Sequence, residues 1–124
     1  MRNVVSDTQN ERLQTATAYN EGCNVKEENG AAIATGNYGV AVANGDKSIA
    51  IVTGVHGAAT ALKEGALALG WGMTTEVKGV LGSNIAAMYT DETGTHLLVK
   101  KVDGVNIKAD TWYSVVDGEF KETK

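Results

Sequence analysis

Residues 30–74 divide without remainder into five units of nine: GAAIATGNY (30–38), GVAVANGDK (39–47), SIAIVTGVH (48–56), GAATALKEG (57–65) and ALALGWGMT (66–74). Alanine holds the third place of every unit, at Ala32, Ala41, Ala50, Ala59 and Ala68. The fourth place reads Ile33, Val42, Ile51, Thr60 and Leu69; the first reads Gly30, Gly39, Ser48, Gly57 and Ala66. The seventh reads Gly36, Gly45, Gly54, Lys63 and Gly72. Self-similarity at a fixed short period marks a repeat architecture, in which each unit buries its apolar face only by stacking on the next.

Places two to five of each unit suit a short extended stretch, along which side chains alternate between faces. One face takes the larger residues: Val40 and Val42, Ile49 and Ile51, Leu67 and Leu69. The other takes alanine and its like: Ala41 and Ala43, Ala50 and Val52, Ala59 and Ala61. Glycine at place seven suits a turn that needs positive φ. The expected fold is therefore all-β, a β-solenoid (β-roll) of nine-residue units. Both faces are apolar, so both need cover. One coil covers only its inner face, which calls for a homo-oligomer, with a trimer as the first expectation. Two other readings compete. An antiparallel β-meander would turn at NYG, NGDK and GVHG, where Asn44-Gly45 is a hairpin signal. A helix would span residues 58–69 on the strength of their alanine and leucine content.

Outside the regular units, Thr15-Ala16-Thr17-Ala18 reads as an imperfect earlier rung and Ile85-Ala86-Ala87-Met88 as a late one. Residues 23–29 and 75–84 read as looser stretches between them. From His96 onward strand formers dominate, punctuated by Asp103-Gly104 and Asp117-Gly118, each expected to turn a tight hairpin. The chain thus divides into an N-terminal lead-in (1–13), a solenoid region (14–90) and a C-terminal hairpin cap (91–124) that closes the open end.

The 124 residues suit one domain, which at this size buries roughly two-thirds of the surface its unfolded chain exposes. Fifteen glycines, no proline and few aromatics leave the packing to small side chains. A net charge of -4 argues against an extended nucleic-acid surface. Cys23 is the single cysteine and forms no internal disulfide. The opening MRNVVSDTQNERLQ lacks the apolar core of a signal peptide, and no apolar run reaches membrane-spanning length, so a cytoplasmic protein without membrane contact is expected.

The ladder GVAVANGDKSIAIVTG (39–54) resembles the head repeats of trimeric autotransporter adhesins, which form left-handed β-rolls and assemble as trimers. It is more similar to the Ala/Gly-repeat proteins of phages and prophages, whose ladders run into a C-terminal segment like KVDGVNIKADTWYSVVDGEF (101–120). That second resemblance covers roughly residues 30–122 and implies a phage-type setting, hence the host cytoplasm, rather than an activity. The unit length here differs from that of the adhesins, which sets surface adhesion apart.

No catalytic motif surrounds Cys23 or either histidine, no HExxH spacing is present, and Gly70-Trp71-Gly72 lacks the lysine and serine of a phosphate loop. A non-enzyme without cofactor or metal is expected. Acyltransferases on six-residue β-helix repeats are the enzymatic alternative, and the nine-residue unit lacks their aliphatic spacing. Tyr38, Lys47 and His56 all hold place nine. If two units make one coil, Tyr38 and His56 stack on one edge and Lys47 lies on the other. With Trp71 as a flat surface, these four are candidates to hold a small planar anion, such as a nucleotide, by stacking and charge. The plainer reading is of ordinary turn residues facing water. The functional expectation is a binding protein that captures its ligand at subunit clefts, with sequestration of a nucleotide defence signal as one version. The alternative is a structural spacer or assembly module of a virion or larger complex.

Overall fold

The computed structural model describes residues 15–19, 22–26 and 28–123. Its strands are β1 (Thr15–Tyr19), β2 (Gly22–Val25), β3 (Ala31–Thr35), β4 (Val40–Ala43), β5 (Ile49–Thr53) and β6 (Ala58–Ala61). They continue as β7 (Leu67–Trp71), β8 (Glu76–Gly79), β9 (Asn84–Asp91), β10 (Gly94–Lys101), β11 (Tyr113–Val116) and β12 (Glu119–Glu122). A first sheet runs β1-β3-β5-β7-β9-β10 and a second runs β2-β4-β6-β8-β11-β12. Successive strands alternate between the sheets, so one coil consumes two nine-residue units.

The protein is a β-solenoid. Ala32 lies opposite Ala50 and Ala50 opposite Ala68 in the first sheet; Ala41 lies opposite Ala59 in the second. Every pairing from β1 to β9 and from β2 to β8 is parallel, which excludes the meander. Residues 58–69 hold β6 and β7 instead of a helix: the preference of alanine for helix is a few tenths of a kcal/mol per residue, and the ladder with its burial outweighs it. Asn44-Gly45 turns a corner between sheets rather than a hairpin. There the Ser48 hydroxyl accepts from the Gly45 N–H at 3.1 Å and donates to the Gly45 carbonyl at 2.6 Å.

The alanine face is the inner one. Ala32, Ala34, Ala41, Ala43, Ala50, Val52, Ala59, Ala61 and Ala68 are all fully buried. Place one is an inner corner, also buried, whether it carries Gly39, Ser48, Gly57, Ala66, Thr75 or Ser83. It faces place five of the unit before. A Cβ on Gly57 would lie 2.8 Å from the Val52 Cβ, and one on Gly70 would lie 2.7 Å from the Thr75 Cβ. Wherever one member of such a pair is branched the other is glycine: Val25 with Gly30, Val52 with Gly57, Thr75 with Gly70. The corner holds a fixed volume, and the two places share it.

The expected positive φ at place seven is present at Gly36 and Gly54, at 90° and 97°. The general left-handed position, however, is place nine: Asn29, Tyr38, Lys47, His56 and Thr74 all lie between 54° and 64°, with Gly65 at 86°.

At the flanks, β1 is the earlier rung and β9 the late one. Residues 23–26 and 75–84 are more regular than their sequence suggests. Cys23 pairs with Ala41, and Val77 with Ala59, in full register. The last coil is one residue shorter, since Ile49 faces Leu67 but Leu67 faces Asn84. The expected lead-in, 1–13, lies outside the described residues. At the other end β10 folds back antiparallel on β9 through a Glu92-Thr93 turn and extends the first sheet. Asp117-Gly118 joins β11 to β12 with both φ values positive, 54° and 78°, as a two-residue type I′ hairpin requires. Asp103-Gly104 departs from expectation. The Asp103 carboxylate accepts from the N–H groups of Val105, Asn106 and Ile107 at 2.9–3.0 Å and shapes an irregular loop, the local alternative open to aspartate in a turn. Val102, Ile107 and Tyr113 from this segment are buried in the same apolar cluster as Val77 and Ile85.

The shared corner volume has a direct test. Gly70→Ala is expected to destabilise by about 1–3 kcal/mol, as overpacking does. Adding Thr75→Gly recreates the Ala34–Gly39 pairing and should recover much of that loss in a denaturant double-mutant cycle. Additive losses would contradict a shared volume.

Candidate functional site

The turns after β3, β5 and β7 lead from the first sheet to the second, so they stack on one edge of the coil; the turn holding Lys47 lies on the opposite edge. The left-handed backbone at place nine brings the Tyr38 and His56 rings together, with centroids 5.1 Å apart and planes 19° from parallel. Hydrogen bonds between coils fix the spacing: Tyr38 N–H to the Val55 carbonyl at 2.9 Å, and His56 N–H to the Met73 carbonyl at 3.1 Å. His56 Nδ1 meets Thr74 Oγ1 at 3.1 Å, so Tyr38, His56 and Thr74 form one column along the edge. Trp71 ends β7 opposite Thr53, points away from the buried Gly70, and is 45% exposed beside this edge. Three of the four candidate residues thus border one rim, while Lys47 stands across the sheet from them.

Between the two edges lies the outer face of the first sheet. Alternation puts Ile33, Ile49, Ile51, Leu67 and Leu69 on it, opposite in direction to the alanines. β10 continues it, since Leu97 pairs with Met88 and Val99 with Ala86, and both Leu97 and Val99 are about half exposed. The second sheet differs. Its outer face turns polar at Glu76 and Lys78, and the Lys78 ammonium lies 4.6 Å from the centre of the Trp112 ring.

Sequence reasoning missed a cleft of about 810 Å³ where the Gly72–Thr74 turn meets the two terminal hairpins. Nothing in a linear pattern brings residues 72–74, 88–91 and 114–119 together; only closure of the coil does. It also missed a cluster at the β9–β10 turn. Thr93 Oγ1 donates to Asp91 Oδ1 at 2.6 Å, and both approach the same ring nitrogen of His96, Nε2, at 2.8 and 3.0 Å. A hydroxyl–imidazole–carboxylate relay needs the two partners on different ring nitrogens. This trio has the geometry of a turn lock, and the Tyr89 ring sits 5.1 Å from His96 above it. The Thr93 hydroxyl and then the Thr93 N–H, with His96 adding less, hold the Asp91 carboxyl down at about 2. Among the described residues no group of three or more His, Cys, Asp or Glu could hold a metal ion, and no helix is long and apolar enough to cross a membrane.

A depressed carboxyl pKa adds stability that is complete above the ordinary aspartate value and is lost as pH falls through the folded one. For Asp91 that window runs from 3.8 down to about 2. Carbon-detected NMR titration should therefore place the Asp91 midpoint near 2, and Thr93→Ala should move it back toward 3.8. An unshifted midpoint in the unaltered chain would contradict the lock.

No family model, no curated protein and no solved structure matches this chain.

Proposed function

We propose that the protein is a non-catalytic binding module that works as a homo-oligomer, three copies in the first instance, and captures a small planar anion at the seams between copies. The observation that carries this reading is the outward sorting of the aliphatic residues. Ile33, Ile49, Ile51, Leu67 and Leu69 point away from a core made of alanine, and β10 adds Leu97 and Val99. A contiguous apolar sheet face of this kind marks an association surface.

Ring closure gives the four candidate residues a meeting place. With the first sheet turned toward an axis parallel to the coil, the Tyr38 edge of one copy adjoins the Lys47 edge of the next. Tyr38, His56 and Trp71 would supply flat surfaces, and Lys47 of the neighbour the positive charge. Backbone preference adds weight. Place nine is left-handed, where Gly65 fits without strain and a side chain costs roughly 1–2 kcal/mol. Tyr38, Lys47 and His56 stand there against that preference, as do Asn29 and Thr74, and such strain is concentrated at functional sites. In the phage-type setting that the sequence resembles, sequestering a nucleotide signal of host defence in the cytoplasm is the concrete version of this role.

Native mass spectrometry of the full chain purified from cells tests it. The expected result is a defined oligomer carrying extra small-molecule mass that mild denaturation releases. Ile51→Lys with Leu69→Lys should leave a folded monomer, since two charges replace apolar contacts each worth roughly 1.5–3 kcal/mol when buried. Trp71→Ala should keep the assembly and weaken capture at least tenfold, as loss of an aromatic anchor does. A clean oligomer without bound mass, when nucleotides are also supplied, would leave the spacer or assembly role in its place.

A further inference from the structure

The cleft at the closed end of the coil is built by one chain alone, where the edge that carries Tyr38, His56 and Thr74 meets the terminal hairpins. We propose that it binds an organic cation, an ammonium or guanidinium group carried on an alkyl stem.

Its volume, about 810 Å³, falls in the range of small-molecule sites. The walls are apolar and aromatic: Met73, Met88 and Tyr89, with Gly118 close enough that a Cβ there would lie 3.7 Å from the Tyr89 ring. The rim is acidic, formed by Asp91, Asp117 and Glu119, and among the described residues no lysine or arginine lines the space. Two neighbouring side chains reach this rim. His96 approaches Asp91 at 3.0 Å, and Lys121 reaches Glu119 only at 3.7 Å from an exposed position. Asp117 makes no salt bridge among the described residues. An aromatic face beside thioethers takes up an alkyl stem, and carboxylates at the mouth take up the charge at its end. An anion would meet three carboxylates. A neutral alkyl ligand would leave the rim unused.

Two sources share this chemistry, a free polyamine and a lysine or arginine side chain displayed on a peptide. The test is an NMR titration of the full chain with spermidine and, separately, with a short Lys/Arg peptide, using n-butanol and acetate as controls. Saturable shifts confined to residues around Thr74, Tyr89 and Val116 are expected with the cations alone. The tighter of the two cationic probes identifies the source. Tyr89→Leu should weaken binding about threefold to fivefold, the effect of losing one partly exposed cation–π contact. Asp117→Asn should weaken it as well. Asparagine tolerates the left-handed turn conformation, so this second variant keeps the hairpin if the first disturbs it. The proposal is overturned by the absence of saturation at roughly 50 mM cation, far weaker than the millimolar limit of useful recognition. Equal shifts with n-butanol, or unchanged affinity in Asp117→Asn, would overturn it too. None of these readouts depends on self-association or on an anionic ligand.

Discussion

Between the two sheets most of the inner places admit little more than a methyl group. Among the described residues nine alanines, Ala32, Ala41, Ala50, Ala59 and Ala68 among them, are fully buried. At the corners a larger inner residue stands where the facing position gives up its own side chain, as Gly57 does for Val52 and Gly70 for Thr75. Val77 and Ile85 enter the alanine column only in the last coil, where Val102, Ile107 and Tyr113 join the core. Close packing explains the exchange: a dense interior transmits each added methylene to its neighbours. Elsewhere bulkier residues leave the core, and the sheet alternation sends them to the outer face. The outward isoleucines and leucines are the complement of the alanine core, produced by the same period of two.

The corners obey a similar constraint. Each must reverse direction within four or five residues while its backbone groups bond to a neighbouring coil, as Tyr38 and His56 do. Left-handed backbone at place nine accomplishes this and aims successive side chains along one edge. Stacking of Tyr38 on His56 follows from the geometry of the ladder, without any need for mutual attraction to find it. The same regularity separates Lys47 from them by the width of a sheet, so any site using all four residues requires more than one copy.

Much of this was legible in the residues. The unbroken phase of nine located the strands, and the paired sizes on alternate faces announced two apolar surfaces. What the pattern left open was which surface lies inside. The rule that settles it, a glycine five residues from each branched corner residue, was present at Val25–Gly30, Val52–Gly57 and Gly70–Thr75 but has meaning only once such corners are seen to touch. Residues 75–84 read as irregular because Glu76 and Lys78 break the outer hydrophobic column; the inner Val77 keeps the register. The terminal cleft had no linear signal, since its walls come from three separated segments. Asp103-Gly104 shows the limit of dipeptide rules, because the carboxylate found three backbone donors of its own.

The solenoid puts the alanine column inside and Ile51 outside, and solvent relaxation of methyl groups distinguishes them most directly. With a soluble inert paramagnetic probe, the Ala50 methyl should stay unrelaxed at every protein concentration. The Ile51 methyls should be shielded in concentrated solution and become relaxed on dilution, as copies separate and the outer face meets water. Relaxation of Ala50, or shielding of Ile51 that persists in a demonstrated monomer, would contradict it.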